Sequence, residues 1–384
     1  MTEGATMATI ASASWVVHPG VFIKEEMEAR GWSQRDLAFI LGCSEQVINP
    51  ILNGKRGISP EMAKALGEAF DVPAEFFANL QQAYDLAQAR TPDPSVAVRR
   101  KMQSVYPVRE MIKRGWIEQS DAPMLEIQLV RFFDVQSSEE IPYFKHAAKK
   151  SSYEEGGITA VQWAWLYRVR QIAKSMSVPQ YSEKALRNAV ENELPSLLHA
   201  PDEARQIPRI LMECGVRYIL VEKLPSAKID GVCFWLEDSP VIAMSTQHDR
   251  IDNFWFVLRH EIEHALRKHG QETKEGMIDV DLDSIGATVS ISEEERLANE
   301  AAANFCTPSE KLDSFLKRKH PFYYEKDVVA FSRLLNRHPG IVIGQMRRKL
   351  NRYDYLTRYL VKVRQYVLPG SVADGWGQTV PVSL

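Results

Sequence analysis

The feature that most constrains this chain is five residues long: His260-Glu261-Ile262-Glu263-His264. Positions i and i+4 of an α-helix lie about 40° apart around the axis, so both imidazoles emerge on one face. From there they can meet a single Zn²⁺ at about 2.0–2.1 Å. Glu261, next to the first histidine, stands where a carboxylate serves as general base. The pattern alone is only moderately specific, because a surface helix pairing its histidines with Glu261 or Glu263 spells the same letters. The preceding bulky run, Phe254 to Leu258, favours a helix anchored in a core. That helix is expected over Asp252–His269, with Asp252 as N-cap and Gly270 in the left-handed position that ends it.

Two histidines do not hold a catalytic zinc; a third protein ligand is required. A spacing with glycine at 267 and histidine at 270 is excluded by Arg267 and Gly270. The remaining source is a glutamate from a later helix. Ser292 and Glu295 fit a capping box, which predicts a helix from Ser292 to near Pro308. Within it, Glu300-Ala301-Ala302-Ala303-Asn304 offers a carboxylate followed by three small side chains that allow close helix approach. Glu300 is therefore the expected third ligand. Glu293, Glu294 and Glu295 are rivals, but they sit in the first turn, where the helix dipole favours acids anyway. Asn304 is expected to hydrogen-bond a ligand histidine and fix its tautomer. His248 is the better candidate for stabilising the oxyanion; His338 is the other, although its setting in His338-Pro339-Gly340 suits a cap.

The segment from Asp252 to Leu266, followed by Glu300-Ala-Ala-Ala-Asn-Phe-Cys-Thr-Pro308, resembles the ImmA/IrrE family of metallopeptidases. Its members show H-E-x-x-H and then E-x-x-A-N-x-F-A near a proline. This chain departs by carrying Cys306 in place of alanine and by lacking a leucine pair before Pro308; Cys306 reads as a small buried residue. The resemblance implies a zinc peptidase acting on a repressor or other regulatory protein, such as a neighbouring-gene product.

Upstream, residues 18–86 carry apolar positions at helical spacing broken by Gly and Ser turns. Ser33 to Ser59 reads as two short helices around Gly42, with Leu37, Ala38, Leu41, Val47 and Ile51 or Leu52 as the buried face. Gln34 is then placed for a phosphate; Ser44, Glu45, Gln46 and Asn49 occupy the base-facing edge of the second helix. Lys55 and Arg56 follow as phosphate contacts. The stretch resembles XRE-type, more closely HigA-like, helix-turn-helix proteins, which implies a DNA partner and a possible homodimer. Two features oppose DNA binding. Residues 18–86 hold six Lys or Arg against ten Asp or Glu, and Pro50 sits inside the second helix, where it is expected to kink it.

The fold class expected is α+β and mostly helical: an all-α helix-turn-helix domain, then a gluzincin-like peptidase domain with a small antiparallel sheet. Residues 1–17 read as a disordered leader and 18–86 as the helix-turn-helix domain. Then come 87–105 as a Pro-containing linker, 106–204 as a helical region, 205–350 as the peptidase domain and 351–384 as an extension with a loosely held tail. Strands are expected in Gly215–Leu224, Lys228–Leu236 and Val241–Thr246, the last two as a hairpin. If the third is an edge strand, an extended substrate can pair with it; an ordinary paired strand is the equal alternative. Asp279, Asp281 and Asp283 begin like a calcium loop, yet Ser284 and Ser290 stand where glycine and a bidentate glutamate are needed. That leaves an acidic loop beside the cleft.

Composition sets outer limits. Four scattered cysteines make no CxxC pair, and no apolar run approaches the roughly 20 residues that span a bilayer. A reducing cytoplasm and no membrane partner are the expectation. The net charge of −3 gives no general attraction to nucleic acid. Two functions fit: a zinc endopeptidase that is also a transcriptional regulator, or a non-proteolytic antitoxin-like repressor whose zincin fold binds a partner or senses a signal.

Overall fold

The structure, a computed structural model, describes residues 16–141, 159–269, 271 and 293–381. The leader up to residue 15, Gly270, the acidic loop and Ser292 lie outside them. The chain divides into two units, up to Asp93 and from Pro94 onward.

The first unit is five helices: α1 (Pro19–Arg30), α2 (Gln34–Ile40), α3 (Glu45–Leu52), α4 (Pro60–Phe70) and α5 (Ala74–Gln88). Each of the first two starts is written locally. His18 Nδ1 accepts from the Gly20 amide with Pro19 in the first turn, and Ser33 and Asp36 close a capping box. Gly42, with φ of +62°, turns the chain between α2 and α3. Leu37, Ala38, Ile51 and Leu52 are buried as expected; Ile48 joins them, while Leu41 and Val47 are only partly covered. Helix α3 runs through Pro50 to Leu52. Pro50 lies two residues before its end and costs a single ladder bond.

The second unit opens with α6 (Ser95–Val105), so the stretch expected as a linker is helical over its second half. Met102 on α6 is buried with α8 (Ala122–Phe132) and α9 (Ala160–Ser175); α7 (Val108–Lys113) lies between them in sequence. Helices α10 (Glu183–Asn188) and α11 (Ile207–Glu213) lead into the sheet.

Among the described residues that sheet has four strands, β1 (Arg217–Val221), β2 (Gly231–Leu236), β3 (Ser239–Met244) and β4 (Val372–Asp374), in the order β2-β3-β1-β4. The β2–β3 hairpin is antiparallel, but β1 pairs in parallel with both β3 and β4. The sheet is therefore mixed rather than antiparallel. β3 is interior and cannot accept an added strand; β2 is the outer strand on its side.

Alternation along the strands builds two cores. Tyr218, Leu220, Cys233, Ile242 and Met244 pack on α12 (Ile251–Leu266). Ile219, Val221, Val232, Phe234, Val241 and Ala243 pack on α8 and α9. The helical region is thus the back layer of the sheet, and its burial demand explains the runs of buried residues in β1, β2 and β3. Helices α13 (Glu293–Cys306), α14 (Ser309–Lys319), α15 (Glu325–Leu334) and α16 (Pro339–Leu350) follow.

Two expectations fail at helix and chain ends. Asp252 is not the N-cap of α12; Arg250 is, and Asp252 lies in the first turn, bonded by Arg250 Nε at 3.0 Å. There Asp252 faces Gly344 of α16, where a Cβ would stand 2.3 Å from the Asp252 Cβ. The tail is not loose either. β4 joins β1, and Asp374 Oδ2 lies 2.5 Å from Arg168 Nε in a pair with side chains 2% and 3% exposed. Three residues are too few to display a strand period, so the sequence carries no signal for β4.

Candidate metal centre

Helix α12 carries both histidines on the face turned to α13. His260 Nε2 and His264 Nε2 lie 3.1 Å apart. The third group is Glu295, with Oε2 at 3.3 Å from His260 and Oε1 at 3.1 Å from His264. Three donors in tetrahedral positions around zinc at 2.0–2.1 Å stand about 3.3 Å from one another. The set of two imidazoles and one carboxylate, with all three donor atoms within 4.8 Å, therefore fits a catalytic zinc with an open fourth position.

Glu300, the expected ligand, is not in this cluster. Its side chain is 62% exposed and paired with Arg296. The reason is angular. The buried stripe of α13 is Ala298, Ala302 and Cys306, with Glu295 at its head. Glu300 is five residues from Glu295, about 140° around the axis, and faces away. The inference that small residues let α13 approach α12 holds, but through Ala298 and Ala302. E-x-x-A-N is also spelled twice, by Glu295-Arg-Leu-Ala298-Asn299 and by Glu300-Ala-Ala-Ala303-Asn304. Only burial separates them.

Asn304 does not reach a ligand histidine. It is exposed, and its Oδ1 accepts from the Ser309 amide at 3.1 Å, holding the start of α14. The outer contact expected of it is made by His269, whose Nδ1 lies 2.7 Å from His264 Nδ1. Behind it, His269 Nε2 is 3.9 Å from Glu294 Oε1. Helical spacing could not have found His269. Lys268, with φ of +59°, folds the chain back after α12 ends, so an i+5 residue meets a ligand.

Glu261 is 6% exposed beneath the outer strand. A Cβ at Gly231 of β2 would stand 2.6 Å from Glu261 Oε1, so the Glu261 carboxyl fills the space that a side chain there would take. Burial pushes the Glu261 carboxyl above the usual carboxylate range; His260 and His264 pull it back, while Glu295 and Asp230 add to the rise. Glu263 has a different role. Burial pulls its carboxyl upward, but Arg259 and Arg267, each at 2.7 Å, outweigh that and hold it below the usual range.

His248 is exposed, with Nε2 at 3.2 Å from Gln247 Nε2, and it is not among the grouped donors. His338 caps α16, accepting from the Gly340 amide at 3.1 Å just as His18 does for Gly20 in α1. His338 thus takes the capping role that its His-Pro-Gly setting suits. Cys306 is fully buried beside Ala302, and burial pushes its thiol up to about 12.

In the first unit the expected DNA-facing residues Gln34, Ser44, Gln46, Asn49, Lys55 and Arg56 are all exposed. Glu45, also exposed, pairs with Arg35 at 3.2 Å, which removes one repulsive charge from that edge.

The sequence pattern described as helix-turn-helix matches residues 23–77, and that described as the IrrE N-terminal-like domain of peptidase M78 matches residues 215–338. The first unit is 40% identical over 72 residues to virulence-associated protein A′ of Dichelobacter nodosus, covering 18% of this chain and 63% of that protein's length. It is 35% identical over 83 residues to virulence-associated protein I of the same organism, covering 21% of this chain and 77% of that protein. The Pseudomonas aeruginosa antitoxin HigA, solved with the higBA promoter, is 34% identical over 23% of this chain and 92% of its own, with a TM-score of 0.19. The fold and site define a helix-turn-helix regulator type joined to a metallopeptidase-type domain. Residues 215–338 are thus similar to the ImmA/IrrE-like domain, and residues 23–77 belong to the XRE-type helix-turn-helix family. Among the described residues no helix is long and apolar enough to cross a membrane.

Proposed function

We propose that the chain is a zinc-dependent endopeptidase that cuts a regulatory protein, a repressor or antitoxin being the class implied by its family, and that its first unit binds DNA. The observation that carries the peptidase reading is the convergence of His260, His264 and Glu295 beside a buried Glu261. Zinc, when bound, supplies Lewis-acid polarisation of a peptide carbonyl and of water. His260, His264 and Glu295 would hold it, and His269 orients the His264 ring from behind. Glu261 takes the proton of the attacking water on its carboxylate and delivers it to the leaving amine. Its buried position, which raises proton affinity, suits both halves of that transfer. β2 presents its outer edge to an extended substrate, and Gly231 keeps that edge in contact with Glu261.

DNA binding is supported by the helix-turn-helix match and by the exposed polar edge of α3. The acidic balance of residues 18–86 predicts weak sequence-independent affinity. A homodimer addressing two half-sites fits this reading.

The test is cleavage of the adjacent gene's product by the purified, zinc-loaded full chain, beside Glu261→Gln. The wild type cuts; the variant keeps stoichiometric zinc and loses about 10²- to 10⁴-fold in rate. An inert wild type leaves a non-proteolytic partner-binding module as the better reading, whereas equal cutting by both proteins removes Glu261 from the role of base.

A further inference from the structure

A cavity of about 350 Å³ lies between α13, α14 and α16, lined in part by Asn299, Thr307, Gln345 and Arg348. It adjoins the metal centre by two routes. Asn299 follows Glu295 by four residues, about 6 Å along α13. On the other side, the Arg348 guanidinium sits 4.8 Å over the Phe256 ring, whose own centroid is 6.4 Å from that of His260.

The charges around the cavity are settled except for one. Arg296 is paired with Glu293 and Glu300, each at 2.5 Å, and Lys349 with Asp313. Arg348 is exposed and makes no ion pair among the described residues. A guanidinium resting over an aromatic ring without an ion-pair partner keeps N–H groups available for a planar, bidentate acceptor. Thr307 adds an independent sign of a missing polar partner. It is 1% exposed, lines the cavity, and its hydroxyl has no hydrogen-bond partner among the described residues. Asn299 and Gln345 supply further neutral donors.

We propose that this cavity is a specificity subsite for an acidic side chain of the substrate, with Arg348 pairing its carboxylate and the cavity amides and Thr307 hydroxyl donating around it. The proposal rests on the peptidase reading above and names its substrate class: a protein with Asp or Glu close to the cut bond. An extended chain rises about 3.3 Å per residue, so an offset of about 6 Å from Glu295 places that acid within about two residues of the scissile peptide. A Lys side chain there meets Arg348 as a like charge and is rejected.

The experiment is cleavage-site profiling of the zinc-loaded full chain on a peptide mixture made by chymotryptic digestion of a bacterial proteome. Wild type should enrich Asp and Glu at one fixed position within two residues of the cut. Arg348→Glu should replace them by Lys and Arg at the same position, and Arg348→Lys should retain part of the acidic preference. A binding arm removes turnover from the question. On the Glu261→Gln chain, a fluorescein-labelled cleaved peptide should bind about tenfold tighter than its Glu-to-Gln counterpart, as a charge-assisted pair predicts. Adding Arg348→Met should erase the difference. Acidic enrichment absent from wild type, or unchanged in Arg348→Glu, overturns the subsite and leaves the peptidase standing. Wild-type cleavage no greater than that of Glu261→Gln overturns both.

Discussion

The α2–α3 pair and the α12–α13 pair divide the work of folding and function in opposite ways. In the first, the core is apolar, and every residue assigned to DNA lies outside it: Leu37, Ile48, Ile51 and Leu52 are at most 3% exposed, while Gln46 and Asn49 face solvent. In the second, the functional groups are the interior. His260, Glu261 and His264 are 8%, 6% and 8% exposed, and Glu295 meets them across the helix interface. A binding surface can thus be altered with little effect on the fold, whereas a metal centre of this kind draws its geometry from the same packing that stabilises the domain.

The sharpest way to break the contrast is at α13. Glu295→Ala should abolish stoichiometric zinc in metal analysis of the purified chain, while Glu300→Ala leaves it intact. The reverse pattern would restore Glu300 as the ligand. Next in size is the buried pair that ties β4 to α9. Asp374→Ala leaves Arg168 buried without its partner and should cost about 3–5 kcal/mol in denaturant unfolding. A loss under about 1 kcal/mol would mean the tail is dispensable to the sheet. The smallest effect belongs to α3. Gln46→Ala and Asn49→Ala should each weaken operator binding by about 1–3 kcal/mol, with unfolding free energy moving by no more than about 0.5 kcal/mol. A large stability change would make α3 a structural helix like α12.

How much was legible follows the same division. The helix-turn-helix unit was readable because its signals are local: His18-Pro19-Gly20, the Ser33 cap and the Gly42 turn each determine a boundary within four residues. The metal helix was readable for the same reason, since both histidines and Glu261 fall inside five residues. The third donor of the group was not. Glu295 and Glu300 sit in the same five-letter spelling, and the preference for Glu300 treated first-turn acids as serving the dipole. The face of α13 that meets α12 breaks the tie, and that face is set by Ala298, Ala302 and Cys306 together.

The sequence by itself therefore determined the helix-turn-helix pair, the metal helix with its His260-Glu261-His264 face and the kind of domain at each end, because helical period and capping chemistry act over a few residues. Tertiary structure alone decided four things: that Glu295 completes the donor set, that His269 backs His264, that β2 rather than β3 is the outer strand, and that Val372–Asp374 completes the sheet. Each joins groups through a chain reversal, a helix rotation or a strand order. Those depend on which apolar surfaces are buried against which, a sum over the whole core that no short window of residues contains.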